Sequence, residues 1–144
     1  MHRIAHQDIL MKLQASGNGS RSLVEIYKTE VLPAKTRTIR LLGRKISARI
    51  IHTLLGFEVK ASSKRLHCPD MVTARYLKLF TELGCRSIKL PYDPTLTARL
   101  VPELEAAIER VGSGVRQLFP EKRELQLYVI RQLYGYLRRE VQRT

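Results

Sequence analysis

The stretch Phe57-Glu-Val-Lys-Ala61, Ser62-Ser63, Lys64-Arg-Leu-His-Cys68 decides how the chain is read. Both runs alternate with period two, the spacing at which strand side chains point to opposite faces. A two-residue turn at Ser62-Ser63 predicts a β-hairpin, with Glu58 opposite His67 and Lys60 opposite Arg65 on one face. Phe57, Val59, Leu66 and Cys68 share the other face, toward a core. Ser-Ser supplies neither the Gly nor the Asn that such turns usually take, so the alternation itself carries the register.

Downstream, Pro69-Asp70 opens a helix with an apolar stripe of Val72, Tyr76, Leu79, Phe80 and Leu83, and Gly84 stands where a C-terminal cap belongs. Ser87-Ile-Lys-Leu-Pro91 reads as a short strand. The order strand, helix, strand predicts a crossover that lays it beside the hairpin, parallel to one of its members. Asp93-Pro94 begins another helical region, lined by Leu100, Leu104, Ile108, Val111 and Val115. Proline is tolerated in a first turn, so Pro102 sets its regular part near Val101, and Gly112-Ser-Gly114 kinks or ends it. Pro120 to Val141 is a long amphipathic helix with Leu125, Val129, Leu133, Tyr136 and Leu137 inward. Arg138, Arg139 and Arg143 complement its dipole.

Upstream, Ser22-Leu-Val-Glu25 is a capping box opening a helix to about Val31, with Leu23, Ile26, Tyr27 and Val31 apolar and Pro33 ending it. A short helix over about His6 to Gln14 precedes it, broken by Ser16-Gly-Asn-Gly-Ser20, so that residues 1–20 form a loosely attached helix and turn. Lys35 to Leu55 admits two readings. Ile39, Leu42, Ile46, Ile50 and Leu54 recur at helical spacing, but Gly43 in the middle costs about 1 kcal/mol against Ala. The competing reading pairs a strand, Arg37 to Leu42, with a helix from about Lys45. Helix is preferred for Ile46–Leu55, and Lys35–Leu42 stays open. The whole predicts a single α+β domain over residues 1–144. Its small sheet is the central β-hairpin plus one further strand, covered by several helices, the C-terminal one long.

At 144 residues and 44% apolar content the chain can bury a real core, and its net charge of +13 is strongly one-sided. Between Lys35 and Arg65 lie nine basic residues and one acid, Glu58, a net +8. An ordinary surface helix interleaves acids for i,i+4 pairs, and this segment does not. Arg37, Arg40, Arg44, Lys45, Arg49, Lys60, Lys64 and Arg65 are therefore the candidate contacts to a polyanion, since Arg and Lys neutralise phosphates and release their counterions. The expected function is non-enzymatic nucleic-acid binding through the DNA or RNA backbone. The alternative is an assembly factor that docks an acidic protein partner, or that self-associates as a homodimer through the C-terminal amphipathic helix with Tyr128, Tyr134 and Tyr136 as anchors. Tyr92, in a loop between Pro91 and Asp93, is the aromatic best placed to be exposed. Paired strand aromatics of the RNA-recognition type and zinc-finger spacings are absent, and a helix-turn-helix match over Leu42–Gly56 is weak.

Catalytic readings find less support. Glu58-Val-Lys60 followed by Asp70 holds the residue types of a metal-dependent nuclease, but with the lone Asp after the Glu-x-Lys element instead of before it. Glu58 pairing with His67 or Lys60 and Asp70 capping a helix is the simpler account. His67, Cys68, Cys85 and His52 do not make a zinc pattern, because adjacent His67 and Cys68 on a strand point apart. Two buried thiols, no metal and no cofactor are expected. No glycine-rich phosphate loop, nucleophile elbow or kinase set is present. No apolar run approaches the roughly 18 residues that span a bilayer, and Met1 to Lys12 lacks the apolar middle of a secretory signal, so a cytoplasmic location is expected.

The basic segment thus divides into a predicted helix around Arg37–Arg49 and a hairpin part at Lys60, Lys64 and Arg65, hinged at Gly56. Whether +8 condenses into one surface depends on which hairpin face the first piece joins.

Overall fold

The computed structural model describes residues 20–143, so the helix expected at His6–Gln14 lies outside the described residues. Helix α1 spans Leu23–Ile26 and passes into one π-helical stretch, Tyr27–Val31. Strands β1 (Thr36–Arg40), β2 (Arg49–Thr53), β3 (Gly56–Ala61) and β4 (Lys64–Cys68) follow. Helix α2 (Met71–Leu83), strand β5 (Ser87–Pro91) and helices α3 (Pro94–Leu118) and α4 (Arg123–Gln142) complete the order. The class is α+β, with two antiparallel sheets: β2-β3-β4 and β1-β5.

The hairpin has the expected register, Glu58 opposite His67 and Lys60 opposite Arg65. Ser62 takes the left-handed conformation (φ 56°) that the turn needs and that serine adopts less readily than Gly or Asn. Val59 and Cys68 are buried, and Phe57 and Leu66 pack against the same core. Local caps also form, although of the expected capping box only the Ser22 half is present among the described residues. Ser22 Oγ accepts from the Glu25 amide at 3.1 Å, Asp70 Oδ1 accepts from the Thr73 amide at 2.7 Å, and Gly84 closes α2 at φ 96°.

The expected helix over Ile46–Leu55 is absent. Strand β2 occupies that region and pairs antiparallel with β3, Ile50 opposite Val59 and Thr53 opposite Gly56. A two-stranded hairpin would leave one edge of β3 without backbone partners, and β2 satisfies it. The β-branched run Ile50, Ile51, Thr53 suits that role. Gly56 makes the reversal possible: at φ 135° a side chain is strained, and a Cβ there would lie 2.8 Å from the Cys68 carbonyl oxygen. Leu54, buried in the helical reading, is instead fully exposed. The helix-turn-helix match over Leu42–Gly56 falls with the helix. Lys35–Leu42, left open, contains β1.

Strand β5 does not lie parallel beside the hairpin. It pairs antiparallel with β1, Arg37 opposite Leu90 and Ile39 opposite Ile88. Side chains occupy its other edge. The Lys89 amide donates to Tyr27 Oη at 3.1 Å, and Tyr76 Oη donates to the Lys89 carbonyl at 2.6 Å. Gln142 Oε1 accepts from the Arg86 and Ser87 amides, at 2.7 and 3.3 Å, and its Nε2 donates to the Ser87 carbonyl at 2.8 Å. With that edge satisfied from three helical segments, no strand of the hairpin can add to it. Burial raises the pKa of the Tyr76 hydroxyl, which keeps it a donor.

Helix α3 starts at Pro94, not near Val101. Asp93 and Pro94 together supply an N-cap, with Asp93 Oδ1 accepting from the Thr95 amide at 2.9 Å, and a proline in the first turn. Pro102 is inside the helix on an exposed side, and the helix continues through Gly112-Ser-Gly114 to Leu118. Helix α2 sits between the three-stranded sheet and α3. Tyr76 and Phe80 from α2 meet at 5.0 Å between ring centroids, and Tyr27 reaches Phe80 at 5.8 Å. Ile26, Leu104, Leu133 and Leu137 are buried around them. Fully burying such a side chain contributes about 1.5–3 kcal/mol of transfer free energy.

Candidate nucleic-acid interface

Helix α2 covers the sheet face that carries Ile50, Val59, Leu66 and Cys68. Arg49 and Arg65 on the other face are exposed, and Lys60 between them is half-buried. Arg49 pairs with Lys60, and Lys60 with Arg65, so the three cations form one row across the strands. At about 4.8 Å between neighbouring strands the row spans about 10 Å. Like charges opposite one another destabilise a sheet, so this row is an arrangement that folding alone does not favour. The next row is Ile51, Glu58, His67. Glu58 pairs there with Arg65 Nη1 at 3.5 Å, correcting the expected pairing with His67 or Lys60, and its Oε2 accepts no hydrogen bond. An ion pair this loose and exposed on the Arg side is worth about 0–1 kcal/mol.

The other predicted contacts fall elsewhere. Arg37 and Arg40 are exposed on β1. Lys64 is on the covered side of the hairpin, opposite Ala61, and its Nζ donates to the Arg40 carbonyl at 3.1 Å, tying the two sheets together. Arg44 and Lys45 cross the end of α2. A Cβ at Gly84 would lie 3.0 Å from the Lys45 amide nitrogen, 3.3 Å from the Arg44 carbonyl carbon and 3.0 Å from Arg138 Nη1. Lys45 Nζ stands 5.1 Å from the Tyr134 ring centroid. The end of α2 therefore gathers Arg44, Lys45 and Arg138 beside α4. In the sequence Arg138 reads as a dipole partner and, with Arg143, as a fallback basic site, and no local pattern links it to positions so far away in the chain.

Among the described residues, Arg37, Arg40, Arg44, Lys45, Arg49 and Lys60 form no ion pair with a carboxylate. Of the candidate stacking aromatics, Tyr92 is exposed but has Lys35 Nζ 5.6 Å from its ring centroid, Tyr76 is buried, and Tyr128 is exposed on α4.

The residues of the catalytic readings are dispersed. Glu58 lies on the open face, whereas Asp70 caps the helix that covers the opposite one. His52 stacks on Phe57 at 4.7 Å on the covered side, away from His67. No group of three or more His, Cys, Asp or Glu among the described residues could hold a metal ion. Cys68 and Cys85 are free and buried, and desolvation pushes their thiols up to about 11 and about 12. Both are therefore protonated and poor nucleophiles near neutral pH. Among the described residues no helix is long and apolar enough to cross a membrane. Comparison of the chain with known protein families, with curated proteins and with solved structures finds no match.

Proposed function

We propose that the protein is a non-enzymatic nucleic-acid-binding protein that holds backbone phosphates on the open face of its three-stranded sheet. The observation that carries this reading is the in-register row Arg49, Lys60, Arg65 with one weakly paired acid beside it. Arg37 and Arg40 on β1, and Arg44 and Lys45 just after it, extend the unpaired positive charge along the chain. Such a surface attracts a polyanion by counterion release and reads no sequence directly.

Salt titration tests the reading. Three phosphates neutralised by the row give a log–log slope of about −2.7 on duplex DNA, steeper if Arg44 and Lys45 also engage. Reversal of the row (Arg49→Glu, Lys60→Glu, Arg65→Glu) removes that part of the slope. Absence of any shift of DNA or RNA at low salt by the unmodified protein sinks the reading.

A second reading is favoured by a different surface. Leu118, at the end of α3, and Leu127 and Tyr128, near the start of α4, are exposed apolar side chains. They suit docking of a partner or a second copy, and a mass that rises with concentration and falls back with Leu127→Ser and Tyr128→Ser supports it.

A further inference from the structure

The turn between β2 and β3 consists of Leu54 and Leu55, which are 104% and 84% exposed. The positive φ of this reversal falls on Gly56, so the backbone does not select the residues at 54 and 55, and a solvated leucine there gains nothing for the fold. An adjacent pair at a protruding tip is a different matter from scattered surface leucines, which need no account. The tip also terminates the same sheet that carries the cation row. Arg49 and Lys60 stand at the far end of the β2–β3 ribbon, four residues back along each strand from Thr53 and Gly56, or about 13 Å. Behind the tip the ribbon is stiffened by the His52–Phe57 stack, with planes 14° apart, and by a glycine whose backbone fits against the Cys68 carbonyl.

We propose that Leu54 and Leu55 form an apolar wedge that enters a groove of duplex DNA and unstacks a base step while Arg49, Lys60 and Arg65 hold phosphates behind it. This deepens the phosphate-binding reading and rests on it. Apolar side chains inserted between base steps kink DNA by about 20–90° when flanking contacts anchor the backbone. A two-stranded ribbon matches a B-form groove, whereas the major groove of A-form RNA is too deep and narrow for side chains to read. A bilayer is the less fitting occupant. Two leucine side chains hold fewer carbons than one myristoyl chain, which alone gives only marginal, reversible membrane attachment.

The test measures end-to-end energy transfer in a short, mixed-sequence DNA duplex carrying a dye at each end, with binding followed separately by anisotropy. The unmodified protein should raise the transfer as it saturates the duplex. The variant Leu54→Ser, Leu55→Ser should bind with the same salt slope, and with an affinity within about tenfold because unstacking is no longer incurred, yet leave transfer at the level of free duplex. Both leucines are exposed, and the neighbouring hairpin already turns on Ser-Ser, so this variant keeps the fold; circular dichroism checks it. Binding without bending by the unmodified protein, or equal bending by the variant, overturns the wedge and leaves phosphate binding standing. No binding to any nucleic acid overturns both. Co-sedimentation with phosphatidylserine-containing vesicles that depends on Leu54 and Leu55, without DNA bending, overturns the wedge in favour of a bilayer.

Discussion

One flank of the helical side and the open face of the three-stranded sheet both carry arginine, but they treat it differently. On the helical side Arg21 bonds both oxygens of Glu103 at 2.9 Å and reaches Glu30 at 2.9 Å, while Arg99 reaches Glu30 at 3.2 Å. Arg75 pairs with Glu105, Lys78 with Glu82, and Lys28 and Arg143 with Glu140. These contacts join the π-helical stretch, α2, α3 and α4 in a mesh of opposite charges, whereas Arg116, Arg123, Arg131, Arg138 and Arg139 of α3 and α4 pair with no carboxylate among the described residues. On the sheet side, Arg49 and Lys60 have no carboxylate partner among the described residues, and Arg65 has one at 3.5 Å. The contrast teaches that net charge is a poor guide to a binding surface. A paired arginine is already neutralised, whereas an unpaired one opposite a like charge keeps its positive field, and the proposed phosphate contact rests on that difference.

The strongest way to break the comparison is to reverse charges on each side in turn. Arg49→Glu, Lys60→Glu, Arg65→Glu should lower nucleic-acid affinity at low salt by on the order of 100-fold and leave the thermal midpoint nearly unchanged. Arg21→Glu with Arg99→Glu should do the opposite, leaving affinity within about threefold and lowering the midpoint, because Glu30 and Glu103 then face like charges. Equal loss of affinity from both variants would mean that only net charge matters.

Next in size is a backbone change. Gly56→Ala meets the Cys68 carbonyl at 2.8 Å in a conformation alanine resists, and should destabilise the sheet by about 1–3 kcal/mol. Hydrogen exchange at β2 and β3 should accelerate well before exchange in α3 and α4. Uniform acceleration would show that the two sides unfold as one unit.

Tyr76→Phe removes the hydroxyl that donates to the Lys89 carbonyl and should lower stability by about 1–3 kcal/mol in a denaturant titration, with phosphate affinity unchanged. An unchanged midpoint would mean that the β5 edge finds another partner.

The smallest effects come from pH. The Cys68 and Cys85 thiols ordinarily ionise near 9.0 and in the fold only at about 11 and about 12. Their contribution to stability is therefore complete below pH 9 and declines as pH rises through the folded values, so the unfolding midpoint should fall on the alkaline side. Thiol reagents at neutral pH should label neither cysteine until the protein is unfolded. Glu30 shifts the other way. Arg21 and Arg99 hold its carboxyl below the usual 4.5, so its smaller contribution is present above that pH and lost as pH falls through the depressed value. Row reversal should leave both pH limbs as they are, since neither involves the open sheet face.

Several elements were legible because their causes are local. The hairpin register follows from alternation on both sides of Ser62-Ser63, the start of α2 from Asp70, and its end from Gly84, which must take a left-handed conformation. Composition and order along the chain located the positive charge, and the pattern of Lys60 opposite Arg65 named two of the three residues in the row. Arg49 was named as well, but on a helix. Hydrophobic spacing over Ile46–Leu54 fits a helix and a strand comparably, and neither reading is decided within the segment.

What the sequence determined by itself is thus the α+β class, the hairpin with its two faces, the capped helices and the concentration of basic residues between Lys35 and Arg65. The tertiary structure alone decided that β2 joins β3 and so completes the cation row, and that β1 takes β5. It also decided that Lys64 ties sheets together instead of facing solvent, that Arg138 reaches the end of α2 where Arg44 and Lys45 pass, and that Leu54 and Leu55 project without cover. The physical reason is the range of the forces. Alternation, turns and caps are settled among residues a few positions apart. Strand partnership depends on which distant backbone groups remain unsatisfied once Tyr27, Tyr76 and Gln142 have closed the edge of β5 and α2 has covered one face of the sheet.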